Sequence, residues 1–160
     1  NVISVAPNHV QAHLMLGSIH TVKGQKNEAK NALRTVLKLN PNVPMAQNNL
    51  AWLYAEDEEN LDEAIELAES AKKLAPENRD ILDTVGWVYY KKGNYQKALE
   101  NASAAVQSET KDPMKYYHLG LIHMKRGNQS RAQSAFRKAL DLNPNFEKAA
   151  EVKAIISKSN

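Results

Sequence analysis

Apolar residues recur along this chain at i, i+3 and i+4 in short runs, and polar turns break the runs at regular intervals. That spacing puts the apolar positions on one face of a helix. It predicts helices over 9–23, 26–39, 43–57, 61–74, 78–91, 95–108, 112–125, 129–142 and 145–158. Gly24, Gly93 and Gly127 fall between runs, where a helix ends most readily. Asn60, Asn94 and Asn128 follow as expected N-caps. The pattern also repeats as a block. Gly17, Ala51, Gly86 and Gly120 are spaced 34, 35 and 34 residues apart. Ala29, Ala64, Ala98 and Ala132 follow at 35, 34 and 34. Pro7, Pro41, Pro76 and Pro144 hold the same register, and the missing member falls at Thr110, close before Pro113. One helical hairpin cannot bury its own apolar face, so units of this length stack on neighbours.

The motifs are "LGSIHTVKGQKNEAKNAL" (16–33), "LAWLYAEDEENLDEAIELA" (50–68), "VGWVYYKKGNYQKAL" (85–99) and "LGLIHMKRGNQSRAQSAF" (119–136). Each begins with a large residue and a small one: Leu16-Gly17, Leu50-Ala51, Val85-Gly86, Leu119-Gly120. An aromatic or imidazole ring follows at His20, Tyr54, Tyr89 and His123. The second helix carries the four alanines, then Leu33, Ala68, Ala102 and Phe136. Over about residues 10–146 this resembles the tetratricopeptide repeat, a helix–turn–helix of about 34 residues. The departures are local. The usual tryptophan early in the first helix is His13, Gln47, Leu82 or Tyr116, the second repeat lacks both glycines, and the third lacks its closing proline.

The resemblance implies an all-α fold, a right-handed α-α superhelix (tetratricopeptide solenoid) of four helix–turn–helix repeats with a C-terminal capping helix. The repeats are expected at 10–43, 44–78, 79–112 and 113–146, the cap at 147–160, and the tail of a preceding repeat at 1–9. The opening tail reads as cut from a longer array, and the polar "NFEKAAEVKAIISKSN" reads as a natural end. In this family the first helices line a concave groove. Carried onto this sequence, the expected partner-binding residues are Met45, Asn48, Asn49 and Trp52 of the second repeat. The third repeat gives Asp83, Trp87, Tyr90 and Lys91, and the fourth gives Tyr117, Leu121, Met124 and Lys125. Aromatic and thioether side chains bury much area at small entropic cost and suit binding hot spots. The competing reading is that Trp52 and Trp87 pack between neighbouring first helices.

Composition narrows the chemistry. The chain has 160 residues, 42% of them hydrophobic and 24% charged, in the range of a folded domain. With no cysteine there is no disulfide and no thiolate site. No apolar run reaches the length of a membrane span. The net charge of +3 divides into +4, −7, 0 and +5 over the four repeats and +1 over residues 147–160. The acidic second repeat, with its Glu56-Asp57-Glu58-Glu59 turn, breaks any continuous basic track, so nucleic acid is not the expected partner. Most of these charges read as solvated turns. Lys91 and Lys125, beside aromatic positions, instead point to a partner segment with apolar anchors and an acidic residue.

Catalytic motifs are absent from the sequence. His9, His13, His20, His118 and His123 show no metal-ligand spacing, and there is no phosphate loop, dinucleotide fingerprint or nucleophile elbow. The expectation is a non-enzymatic module with no metal and no cofactor, binding a protein or peptide. The cations of the chaperone-binding carboxylate clamp are missing: the corresponding windows hold Leu14, Ser18, Asn49, Asp80 and Thr84, then Asn48, Trp52, Thr84, Met114 and His118. An alternative is a regulatory or targeting array of a longer bacterial enzyme or of an export-associated lipoprotein. The stretch from Asn48 to Leu99 is similar to the C-terminal repeats of large bacterial tetratricopeptide proteins, some of them exported. That leaves a cytoplasmic and a periplasmic or outer-membrane-attached setting both open.

Overall fold

The computed structural model describes residues 9–107 and 110–158. The expected repeat tail lies outside them except for His9. All regular structure in the described residues is helical: α1 (Val10–Val22), α2 (Lys26–Leu39), α3 (Pro44–Asp57), α4 (Leu61–Leu74), α5 (Arg79–Lys91), α6 (Tyr95–Val106), α7 (Pro113–Lys125), α8 (Gln129–Leu142) and α9 (Ala149–Lys158). The chain divides into two compact units, Asn1–Glu77 and Asn78–Asn160.

In the first unit α1 pairs with α2, α3 pairs with α4, and α2 packs on α3. Ala29, Leu33 and Val36 bury one face of α2, and Leu50, Ala51, Tyr54 and Ala55 bury that of α3. The turn after α3 has no glycine. Glu58 and Asn60 take left-handed conformations instead, at φ 53° and 48°, a conformation that side chains other than Asn rarely adopt. In the other hairpins Gly24, Gly93 and Gly127 supply the positive φ. The acidic turn is tied down by cations of α2. Lys26 and Lys30 both donate to Asp57, and Lys30 also donates to Glu59. Lys30 is 3% exposed. Burial pulls its ammonium pKa down, but the hydrogen bonds and charges of Asp57 and Glu59 outweigh this and raise it above 10.5. The hydrogen bonds from Lys26 and Lys30 hold the Asp57 carboxyl below 3.8.

In the second unit α5 pairs with α6 and α7 with α8; α6 packs on α7, α5 touches α7, and α9 lies on α8. Gly86 is required by the close approach of α5 and α6. A Cβ there would stand 3.0 Å from the Ala102 backbone nitrogen and 3.2 Å from the Ala98 carbonyl oxygen. Asn78 caps α5 by accepting from the Asp80 and Ile81 amides, and Asp112 caps α7 by accepting from Met114. Asn94 caps α6 through its side chain, accepting from Lys97. Asn60 and Asn128 stand at the expected cap positions without a side-chain cap bond.

The closing helix starts later than the apolar pattern predicts, at Ala149 rather than at 145. Asn143 Oδ1 accepts from the Asn145 amide at 3.0 Å and forms a turn instead. That turn drops Phe146 into a core with Tyr117, Phe136, Ala149 and Val152.

Candidate functional site

α5 and α7 carry the candidate residues of the second unit. Nine consecutive residues, Ile81 to Tyr89, are buried in α5. Trp87 is among them at 7% exposure. Its ring stacks on Tyr90 (centroids 4.9 Å apart, planes 9°) and on His118 of α7 (4.4 Å, 27°). The Lys91 ammonium lies 5.0 Å from its ring centroid, within cation–π range. Trp87 therefore packs between two first helices, the competing reading of the sequence pattern. Asp83 is also enclosed, 7% exposed, and its carboxylate meets His118 Nδ1 at 2.9 and 3.1 Å. Tyr117 is 5% exposed and faces the C-terminal core, where its hydroxyl donates to Glu151 at 2.9 Å.

The surface residues of this region are Tyr90, Lys91, Leu121, Met124 and Lys125. Tyr90, Lys91 and Leu121 are half-buried, Leu121 against the C-terminal core; Met124 and Lys125 are exposed. The Tyr90 ring also contacts Tyr95 at the start of α6, 5.8 Å between centroids. Tyr95 and Lys125 in turn line a shallow depression of about 780 Å³, with Lys92, Gln96 and Arg126 around it. The aromatic surface of Tyr90 and Tyr95 thus leads into a basic hollow.

A second polar link ties α5 to α7. Lys115, 5% exposed, donates to Asp80 and to Asp112, each at 2.7 Å. Burial lowers its pKa, but the hydrogen bonds and charges of the two carboxylates outweigh that and raise it above 10.5. At Asp112 burial acts upward, yet the bonds from Lys115 and the Met114 amide hold the carboxyl below 3.8.

In the first unit the candidates are less uniform. Met45 is 42% exposed. Trp52 and Asn49 are half-buried. Asn48 is 7% exposed and donates to Asn49 Oδ1 at 3.2 Å, so it faces the interior. Sequence reasoning gave Asp83 as a site residue but not Tyr95, Lys115 or the Asp83–His118 contact. The signal for the pair was present: Asp83 and His118 stand 35 residues apart, one repeat length, as do Asp80 and Lys115. Among the described residues no group of His, Asp or Glu could hold a metal ion, and no helix is long and apolar enough to cross a membrane.

Hairpins of this length, locked by small residues and tied repeat to repeat, define a helical-repeat protein. Two models described as Tetratricopeptide repeat match residues 14–79 and 113–151, and the chain belongs to that family. The type IV pilus assembly protein PilF of Pseudomonas aeruginosa is 27% identical over 139 residues, covering 84% of this chain and 54% of PilF. The crystal structure of MamA is similar with a TM-score of 0.72 at 25% identity, over 94% of this chain and 85% of that one. YrrB, described as a TPR protein with an unusual peptide-binding site, matches with a TM-score of 0.73 at 18% identity, over 95% of this chain and 78% of that one. The chain spans between 13% and 54% of the length of the first curated relatives it matches.

Proposed function

We propose that the chain is a protein-interaction scaffold. It holds an extended segment of a partner protein on the α5–α7 face of the second unit. The observation that carries this is the continuous surface from Tyr90 and Tyr95 to Lys125, apolar at one end and basic at the other. A peptide with an aromatic or aliphatic anchor and an acidic residue complements it. The anchor would rest on Tyr90, Leu121 and Met124, and the acid would face Lys91 and Lys125. Trp87 supports this face from beneath. The chain then works by binding, without catalysis or cofactor. Peptide titration followed by tryptophan fluorescence tests it. Met124→Ser and Lys125→Glu are expected to weaken an acidic-aromatic peptide by about tenfold each. Unchanged affinity in both variants would reject the reading.

A second reading follows from the match to PilF over most of this chain. In it, the repeats belong to a longer protein that assists assembly of a surface structure. Cell fractionation of the full-length protein decides it: recovery away from the envelope would rule it out.

A further inference from the structure

α7 has another face. At about 100° per residue, Tyr116, Leu119 and His123 lie on the side of α7 away from Leu121 and Lys125. With Arg131, Ser134 and Lys138 of α8 they line a cleft of about 400 Å³. Its apolar floor is Leu119 and Ala135, 9% and 7% exposed. His123 is 7% exposed, and its Nδ1 is enclosed with no hydrogen-bond partner.

That unmatched nitrogen sets the fourth repeat apart. The same slot holds His20, Tyr54 and Tyr89 in the other repeats, and each has a polar partner. His20 Nδ1 meets Gln25 at 2.7 Å, the Tyr54 hydroxyl accepts from Arg34 at 2.9 Å, and the Tyr89 hydroxyl accepts from Lys97 at 3.2 Å. A buried polar atom without a partner is costly, so native structures rarely leave one. Burial, together with the charges of Arg131 and Arg126, holds the His123 imidazole below 6.5, which favours the neutral ring. Arg131 and Lys138 form no ion pair among the described residues. Two uncommitted cations, a hydroxyl and an imidazole thus border an apolar floor.

We propose that this cleft binds a carboxylate carried on an aromatic or aliphatic stem, Arg131 and Lys138 taking the carboxylate and Tyr116, Leu119 and Ala135 the stem. The acid is either the C-terminal end of a peptide or a free organic acid, and the chemistry that recognises it is the same. The site is separate from the α5–α7 face and goes beyond the function proposed above. A bound carboxylate also opposes the field of the arginines at His123, so the ring titrates at higher pH in the complex.

The test is titration of the whole chain with 3-phenylpropionate, following the histidine ring signals by NMR and assigning His123 with His123→Gln. The expected result is a saturable shift at His123 and a raised titration midpoint there. Arg131→Gln and Lys138→Gln are each expected to lose about tenfold in affinity, the scale of one charge-assisted contact. Both side chains are exposed, and thermal melting checks that the variants stay folded. The neutral amide, 3-phenylpropionamide, is expected not to bind. Equal binding of acid and amide, no shift at His123 at millimolar acid, or full affinity in both variants would each overturn the proposal. A peptide ending in phenylalanine separates the sources. Tighter binding than the free acid, lost on amidation, identifies a peptide end; binding no tighter than the free acid identifies a small acid.

Discussion

α1 and α5 are first helices of their units and hold the same place in the repeat, yet their burial differs. α1 buries only Gly17, and Met15, Ile19 and Val22 are 64%, 45% and 90% exposed. α5 buries every residue from Ile81 to Tyr89, including Val88, the counterpart of Ile19. The apolar pattern of a single repeat fixes which residues can be buried. The neighbours decide which of them are. Around α5 those neighbours include Ala98 and Ala102 of α6, close against Gly86, and His118 of α7, stacked on Trp87.

The two units also differ in the polar contacts that tie their repeats. In the first unit the tie runs from α2 to the turn after α3, through Lys26, Lys30, Asp57 and Glu59. In the second it runs between first helices, through Asp80–Lys115 and Asp83–His118. The first arrangement clamps a glycine-free turn. The second fixes the face on which a partner is proposed to sit.

Substitutions at matching positions break or sharpen this contrast. The largest effect is expected at Trp87. Trp87→Ala removes a buried ring stacked on two others and should cost about 3–5 kcal/mol in urea denaturation. Trp52→Ala, at a half-buried ring, should cost clearly less. Gly120→Ala comes next. Its Cβ would collide with the ring of Phe136, which is fully buried, and about 1–3 kcal/mol is expected. Gly17→Ala presses on the Leu33 side chain, with the Ala29 carbonyl at an ordinary 3.7 Å, and should cost less. Ala51 already carries a Cβ in the same slot. A Lys30→Met variant leaves Asp57 and Glu59 partly exposed and able to take up water, so about 1–2 kcal/mol is expected. A double-mutant cycle with Asp57→Asn isolates the pair.

The smallest effects are those of pH. The folded pKa values of Asp57 and Asp112 lie below 3.8, so their stabilisation is complete above that value and is lost as pH falls from it through the lowered values. Lys30 and Lys115 are raised above 10.5, so theirs is complete below that value and lost as pH rises through the raised values. His123 has the carboxylate sign at higher pH. Its contribution is complete above 6.5 and is lost as pH falls through the lowered folded value. His123→Tyr, which restores the residue of the second and third repeats, should remove the part of the acid sensitivity that begins just below 6.5. Equal melting profiles for the two proteins down to pH 5 would show that His123 carries none of it.

The hairpins were legible in the sequence because each depends on local signals: apolar spacing, a glycine or asparagine between helices, and small residues at one register. The start of α9 was misplaced because Phe146 continues the apolar rhythm, while the Asn143 side chain closes a turn that apolar spacing does not encode. The site was legible only as a set of first-helix positions. Which of them reach the surface depends on contacts that the repeat pattern does not encode. Trp87 has Tyr90 and His118 on it, Tyr117 turns to Glu151, and Asn48 turns inward. The acidic turn read as solvated charge; it is instead anchored by Lys30, which lies 27 and 29 residues before Asp57 and Glu59, on α2.

The most direct test of the proposed role compares one acidic-aromatic peptide across three proteins at low and at high salt: the unaltered chain, Lys91→Glu with Lys125→Glu, and Met45→Ala with Trp52→Ala. Binding at the α5–α7 face predicts that the charge reversals remove the affinity and its salt dependence while the first-unit variant binds nearly as well as the unaltered chain. Affinity that survives the charge reversals and is lost with Met45 and Trp52 would contradict it.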